Sequence, residues 1–241
     1  MSRTILALSI GVALSGSAVV CAPALSQAKP NLSHATPAFD PVPADKPDFN
    51  GKWIMAKPIR ALKTSDGSPP PLNAAGKAQY AKTRAALKAD PKTDPLSDCL
   101  MHGVPRLLYA PYPFLILQYG KHVDFVHEVN HTVRIVYFNQ PPPDDPDPHW
   151  LGWPTAHWDG RTLVIDTIGF NDLTWLDYSG LPHGEQLKVQ ERYQLHGDRV
   201  QAQVIITDPQ FYTAPWRTDF TLVRRPGYDL KESICTRDHK M

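Results

Sequence analysis

From Arg106 onward the hydrophobic positions either alternate with polar ones or gather in short runs. Leu107–Tyr119, His122–Phe138, Thr155–Ile168, Leu187–Thr207 and Trp216–Arg225 are rich in Val, Ile, Leu, Thr and aromatics. A period of two with these residue types predicts strands. Asp159-Gly160 marks a tight hairpin turn inside one such run, and His196-Gly197-Asp198 marks another. Asn139–Pro148 carries too many prolines to join a sheet and reads as an exposed loop. The count is roughly eight to ten strands joined by short turns, which predicts an up-and-down barrel or a sandwich. One helix interrupts the pattern. Asn73 can cap it, Ala74, Ala78, Ala81 and Ala85 recur at helical spacing, and Asp90-Pro91 ends it. That alanine stripe predicts a helix lying against the domain as an accessory.

The N terminus follows a different pattern. Met1-Ser-Arg3 is basic, Ile5–Val20 is apolar and uncharged, and Ser26 and Ala28 suit a leader peptidase. This is the layout of a secretory signal peptide, residues 1–28. A lipoprotein reading through Cys21 and a membrane anchor are the alternatives, and the apolar run is short for a bilayer. Residues 29–48 are polar, with Pro41, Pro43 and Pro47, and read as a disordered leader. Residues 49–241 then form a single domain. Export predicts a periplasmic or secreted protein, and Cys99 and Cys235, the two cysteines left after cleavage, should pair as a disulfide. The formal net charge of +1 gives no electrostatic footprint for nucleic acid. No later apolar run is long enough for a transmembrane segment.

His127-Glu-Val-Asn-His131 spells the zinc-protease signature. Its flanks are strand material, and on a strand histidines four apart sit about 13 Å from one another, too far to share a metal. No metal is therefore expected there. Glu191 falls on the apolar face of its strand with Leu187, Val189, Tyr193 and Leu195. A buried carboxylate must be paired or protonated. It is either ion-paired with an arginine such as Arg134 or Arg106, or it is a pocket acid. Asp166 similarly interrupts an apolar strand and could hold a turn or a ligand. The long connection Gly169–His183 carries Trp175, Asp177, Tyr178 and His183. It reads as a lid over one barrel end, or as part of a site at the barrel mouth. Trp158, Tyr212 and Trp216 belong to an aromatic set that could line a pocket for a flat ligand. Nucleophile elbow, phosphate loop, dinucleotide fingerprint and clustered metal-ligating cysteines are all missing, so no cofactor is expected.

Gly51-Lys-Trp53 at the start of the domain, with Arg224-Arg225 at its last strand, resembles the lipocalin and wider calycin pattern. There an early Trp plugs the barrel floor under a late Arg, a cation–π contact. That resemblance implies a calycin/lipocalin-like antiparallel barrel with one N-terminal accessory helix. The chain also resembles a group of exported bacterial proteins of uncharacterised function. The shared blocks are Gly103-Val-Pro-Arg106, Pro113-Phe114, Trp150-Leu-Gly152, Trp158-x-Gly160-x-Thr-Leu-Val164, Trp175-x-Asp177, Glu191-Arg192 and Asp208-Pro209. This chain departs from the group's usual small or polar residues at Trp153-Pro154. The resemblance implies an exported β domain and no activity. The sequence reading is a barrel holding a small apolar or aromatic molecule in an internal pocket, with Arg134, Trp158, Asp166, Trp175, Tyr212 and Trp216 as ligand contacts. A cofactor-independent lyase, isomerase or hydrolase using Glu191, Asp177 and His183 for proton transfer is the alternative. An envelope-associated structural protein is a third. Oligomeric state is left open.

Overall fold

The computed structural model describes residues 40–236, so the expected signal peptide lies outside the described residues. Nine strands close into one barrel in chain order: β1 (Gly51–Met55), β2 (Phe114–Gln118), β3 (His122–His127), β4 (Val133–Phe138), β5 (Trp153–Asp159), β6 (Thr162–Ile168), β7 (Lys188–His196), β8 (Arg199–Thr207) and β9 (Trp216–Arg224). Burial alternates along the strands, as in β8 and β9, which is the expected half-buried pattern. The hairpin turns fall where they were read, with Gly160 and Gly197 each at φ +59°.

An all-antiparallel ring needs an even number of strands, so nine strands leave one pair running the same way. That pair is β4 and β5, joined only at Tyr137↔Thr155 and Phe138↔Ala156. The expected antiparallel barrel is thus observed with this one parallel seam. The proline-rich segment 139–152 supplies the long connection that a parallel pair requires. Pro154, which has no N–H to donate, stands immediately before the paired residues.

The two barrel ends differ. At the floor, β2–β3, β5–β6 and β7–β8 are joined by short turns. Trp53 is buried there, and the Arg224 guanidinium lies 4.3 Å over its ring. Arg224 also donates to the Asn50 carbonyl. Gly51 sits at φ +133°, and a Cβ there would strike that guanidinium. The Gly-x-Trp spacing therefore leaves room for the arginine that clamps the tryptophan. The described end of the expected leader, residues 40–48, also meets the barrel. Asp40 O accepts from Gly120 N–H, and Pro47 O accepts from the Gln118 side chain.

The connections β1–β2, β6–β7 and β8–β9 lie at the other end, the mouth, and the β4–β5 connection runs from floor to mouth. The segment Leu107–Tyr119 becomes a strand only from Phe114 to Gln118. Arg106–Tyr109 is instead a 3₁₀ turn with all four residues buried. Pro105, Pro111 and Pro113 flank it and break any ladder, and an unbroken buried run suits a plug better than a half-exposed strand. The helix α1 (Ala74–Ala89) forms as read, with Asn73 Oδ1 accepting from Gly76 N–H. Its packing face differs from the expectation. Gly76 and Thr83 are its buried residues, and the alanine stripe faces solvent. A Cβ at Gly76 would run into the Phe211 carbonyl, so the backbone itself makes the contact.

Candidate functional site

Several predicted site residues lie inside the barrel or its mouth, and their partners define what they do. Glu191 has no exposed surface and is held by Arg134 through two bonds, Nη1–Oε2 at 3.0 Å and Nη2–Oε1 at 2.6 Å. Arg134 Nη2 also donates to Thr167 Oγ1, and the Tyr193 hydroxyl donates to Glu191 Oε2. Of the two readings open for Glu191, the ion pair with Arg134 is the observed one. Ile165, Val204 and Ala202 around it have no surface that water could touch. Arg134 and Thr167 are 1% exposed and Tyr193 3%, so side chains fill this stretch of the lumen.

Asp177 is equally occupied. Its Oδ2 accepts from Leu62 N–H, and its Oδ1 accepts from Ser179 N–H and Leu181 N–H, with the Ser179 hydroxyl on the same carboxylate. It ties the connection 169–187 to the segment after β1. His183 is buried, its Nδ1 3.3 Å from the Gly184 carbonyl and its Nε2 without a partner. No hydrogen bond joins Glu191, Asp177 and His183 to one another; each is engaged elsewhere. Tyr212 donates to the Pro182 carbonyl and its ring lies 5.5 Å from that of Trp216, both buried. Trp158 stacks on Phe138 near the floor. Asp166 points outward, accepting from Gln190 and lying 3.4 Å from His157.

The His127–His131 motif spans a strand end and a turn, not one continuous strand. His127 closes β3 and stacks on Phe114, whereas Asn130 and His131 turn the chain at φ +52° and +47°. This turn anchors the C-terminal tail. Glu128 Oε2 accepts from the Tyr228 hydroxyl and from Lys231 N–H. Asn130 N–H donates to the Ser233 carbonyl, and Asn130 Oδ1 accepts from Cys235 N–H. The expected disulfide Cys99–Cys235 fastens the tail to the segment after α1.

Between tail and barrel mouth lies a cleft of about 480 Å³. One wall is residues 233–236 of the tail, another is Pro111 and Tyr112, and Leu96 and Val129 add apolar surface. Asn130, Ser233 and Thr236 also line it, and on the side away from the tail stand His102 and Tyr178, their rings edge to face at 6.2 Å. Gly103, at φ +67°, lets the chain turn beside His102, and the Thr174 hydroxyl donates to the His102 carbonyl. Beneath Tyr178 lies Arg106, fully buried, its guanidinium 4.3 Å from the Tyr178 ring and 5.7 Å from that of Trp175. Asp94 receives that guanidinium through two bonds, one of 2.9 Å at Nη1–Oδ1.

Burial, reinforced by the Arg106 charge, lowers the His102 pKa to about 4, so its imidazole is neutral near pH 7. Burial raises the Tyr178 phenol to about 12 against the opposing pull of Arg106. Its hydroxyl has no hydrogen-bond partner. Trp175 and Tyr178 come from the connection singled out in the sequence, and Arg106 was named as a possible partner for Glu191 and as the end of a shared block. His102 was missed: it sits in no strand or helix, and only the neighbouring Gly103-Val-Pro-Arg106 block drew notice.

Among the described residues no group of His, Cys, Asp and Glu is placed to hold a metal ion, and no helix is long and apolar enough to cross a membrane. No family model matches the chain, and no curated protein or solved structure matches it either.

Proposed function

We propose that the protein holds a small, flat, largely apolar molecule in the cleft at the barrel mouth, outside the lumen. The observation that carries this is the cleft itself, whose size suits a small ligand and whose lining is mainly apolar around His102. The filled surroundings of Arg134 and Glu191 argue against the internal pocket read from the sequence. Arg134 therefore serves the barrel, and Trp175 and Tyr178 serve the cleft. The protein works outside the cytoplasm, in the periplasm or beyond, and the Cys99–Cys235 bond supports an oxidising compartment.

Native mass spectrometry of the protein purified from its producing cells tests the binding reading, alongside a Ser233→Trp variant. The indole would fill the cleft from the tail, whose backbone bonds to Asn130 do not depend on the serine side chain. A co-purified small molecule present in the natural sequence and missing in the folded variant is the expected result. A ligand retained by Ser233→Trp would place binding elsewhere.

A further inference from the structure

We infer that the cleft recognises its occupant through an uncharged oxygen-bearing head group, a hydroxyl or carbonyl on a flat apolar body, hydrogen-bonded by His102. This rests on the small-molecule reading above and adds the chemistry of the ligand to it.

His102 is 7% exposed, and it lines the cleft. Its backbone carbonyl is used by Thr174, but its ring makes no hydrogen bond with the rest of the described chain; its one ring contact is the edge-to-face packing with Tyr178. A nearly buried imidazole without a partner is costly unless something supplies one. Both ring nitrogens stay out of the set of sealed, unpartnered atoms that includes His127 Nε2 and His183 Nε2. The His102 ring nitrogens thus keep contact with the cleft, whereas those two are closed off.

The charge around the cleft selects a neutral head. A carboxylate would need a cation, and the nearby guanidinium of Arg106 is already held by Asp94 through two bonds. An ammonium group would enter beside that same arginine. Either ion would be desolvated without a counter-charge of its own, an expensive arrangement. A neutral imidazole instead offers one donor and one acceptor, which a hydroxyl can satisfy together and a carbonyl can satisfy at the donor. The apolar walls at Leu96, Val129 and Tyr112 take the body of the molecule.

Equilibrium dialysis of the full-length protein against naphthalene, 2-naphthol and 2-naphthoate tests this. 2-Naphthol should bind about three- to tenfold tighter than naphthalene, the worth of one neutral hydrogen bond. 2-Naphthoate should bind weakest. His102→Phe should erase the preference for 2-naphthol over naphthalene, with His102→Leu as a second apolar variant should the first not fold. His102→Gln, which retains a donor and an acceptor, should keep the preference. Equal binding of naphthalene and 2-naphthol would leave the cleft reading standing and overturn this inference alone. Tightest binding of 2-naphthoate, or a preference that survives both apolar variants, would overturn it too. No binding of any of the three would remove both.

Discussion

Two arginines whose side chains are almost wholly buried, Arg134 and Arg106, each pair with a carboxylate in opposite surroundings. Arg134 and Glu191 face each other inside the barrel, with Thr167 and Tyr193 taking up further bonding capacity and almost no water-accessible surface around them. Arg106 and Asp94 lie beside the cleft, where the guanidinium is sandwiched against aromatic faces and Asp94 keeps 18% of its side-chain surface. Each arginine has an imidazole neighbour that it helps keep neutral, His127 for Arg134 and His102 for Arg106. The same ion pair thus serves as a cross-brace in one region and as the back of a ligand wall in the other. The first is sealed by its neighbours; the second leaves polar groups in need of a partner.

The largest expected effect is on the sealed pair. Glu191→Gln leaves Arg134 charged and without a counter-ion in the barrel interior, at a cost of about 3–5 kcal/mol. A denaturant midpoint measures this. Replacing both residues by apolar ones of similar size should recover most of the loss, because the desolvation of both charges disappears with them. A Glu191→Gln variant as stable as the natural chain would show that water reaches the pair after all, and the contrast between the two regions would fail.

The disulfide comes next. Cys235→Ser releases the tail that forms a wall of the cleft and opens a loop closed across 136 residues. The expected loss is about 2–4 kcal/mol. Because the tail touches the cleft and not the lumen, 2-naphthol affinity should fall in the folded variant while the Arg134–Glu191 region is unaffected. Retained affinity would show that Glu128 and Asn130 hold the tail by themselves.

Acid sharpens the comparison through the two imidazoles. Burial, then the neighbouring arginine, lowers His102 to about 4 and His127 to about 3. Both are depressed below the unfolded value of about 6.5, so the unfolded chain takes up protons that the native one refuses. Stability is therefore complete above about pH 6.5 and is lost as pH falls toward 4 and then 3. Each histidine contributes a slope of up to about 1.4 kcal/mol per pH unit. Midpoints measured from pH 7 to pH 4 should show this decline, and His127→Phe and His102→Phe should each flatten it. An unchanged slope in either variant would mean that its imidazole is already protonated in the native state.

Much of the barrel was legible in the sequence because strand burial leaves a period of two, and because Gly160, Gly197 and the proline run Asn139–Pro148 punctuate it. The resemblance to the calycin pattern implied the pairing of Trp53 with a late arginine, and Arg224 is the one that makes it. The parallel seam was not legible, since it follows from the parity of the strand count, which alternation leaves uncertain. The site was less legible for a different reason. Glu191 stood out as a charge on an apolar face, a signal that marks the sealed pair. His102, Tyr178 and Leu96 come from irregular segments far apart in the chain, where no periodicity says which way a side chain points. The disulfide was readable from the cysteine count, but that its tail walls a cleft depends on Asn130 and Glu128, which the sequence presented as parts of a metal motif.

The smallest expected effect separates the two tyrosines that accompany these pairs. Tyr193 gives its hydroxyl to Glu191, so Tyr193→Phe removes a buried bond to a charged group, worth about 1.5–3 kcal/mol. Tyr178 packs its ring on Arg106 while its hydroxyl finds no partner. Phenylalanine keeps the aromatic face for the guanidinium and removes an unsatisfied polar group, so Tyr178→Phe should leave stability within about 1 kcal/mol of the natural chain or raise it slightly. The paired measurement is the denaturant midpoint of the two variants under the same conditions. If Tyr178→Phe proved as damaging as Tyr193→Phe, its hydroxyl would be bonded in solution. The wall of the cleft at Tyr178 would then be braced by a hydrogen bond, like the barrel interior at Tyr193.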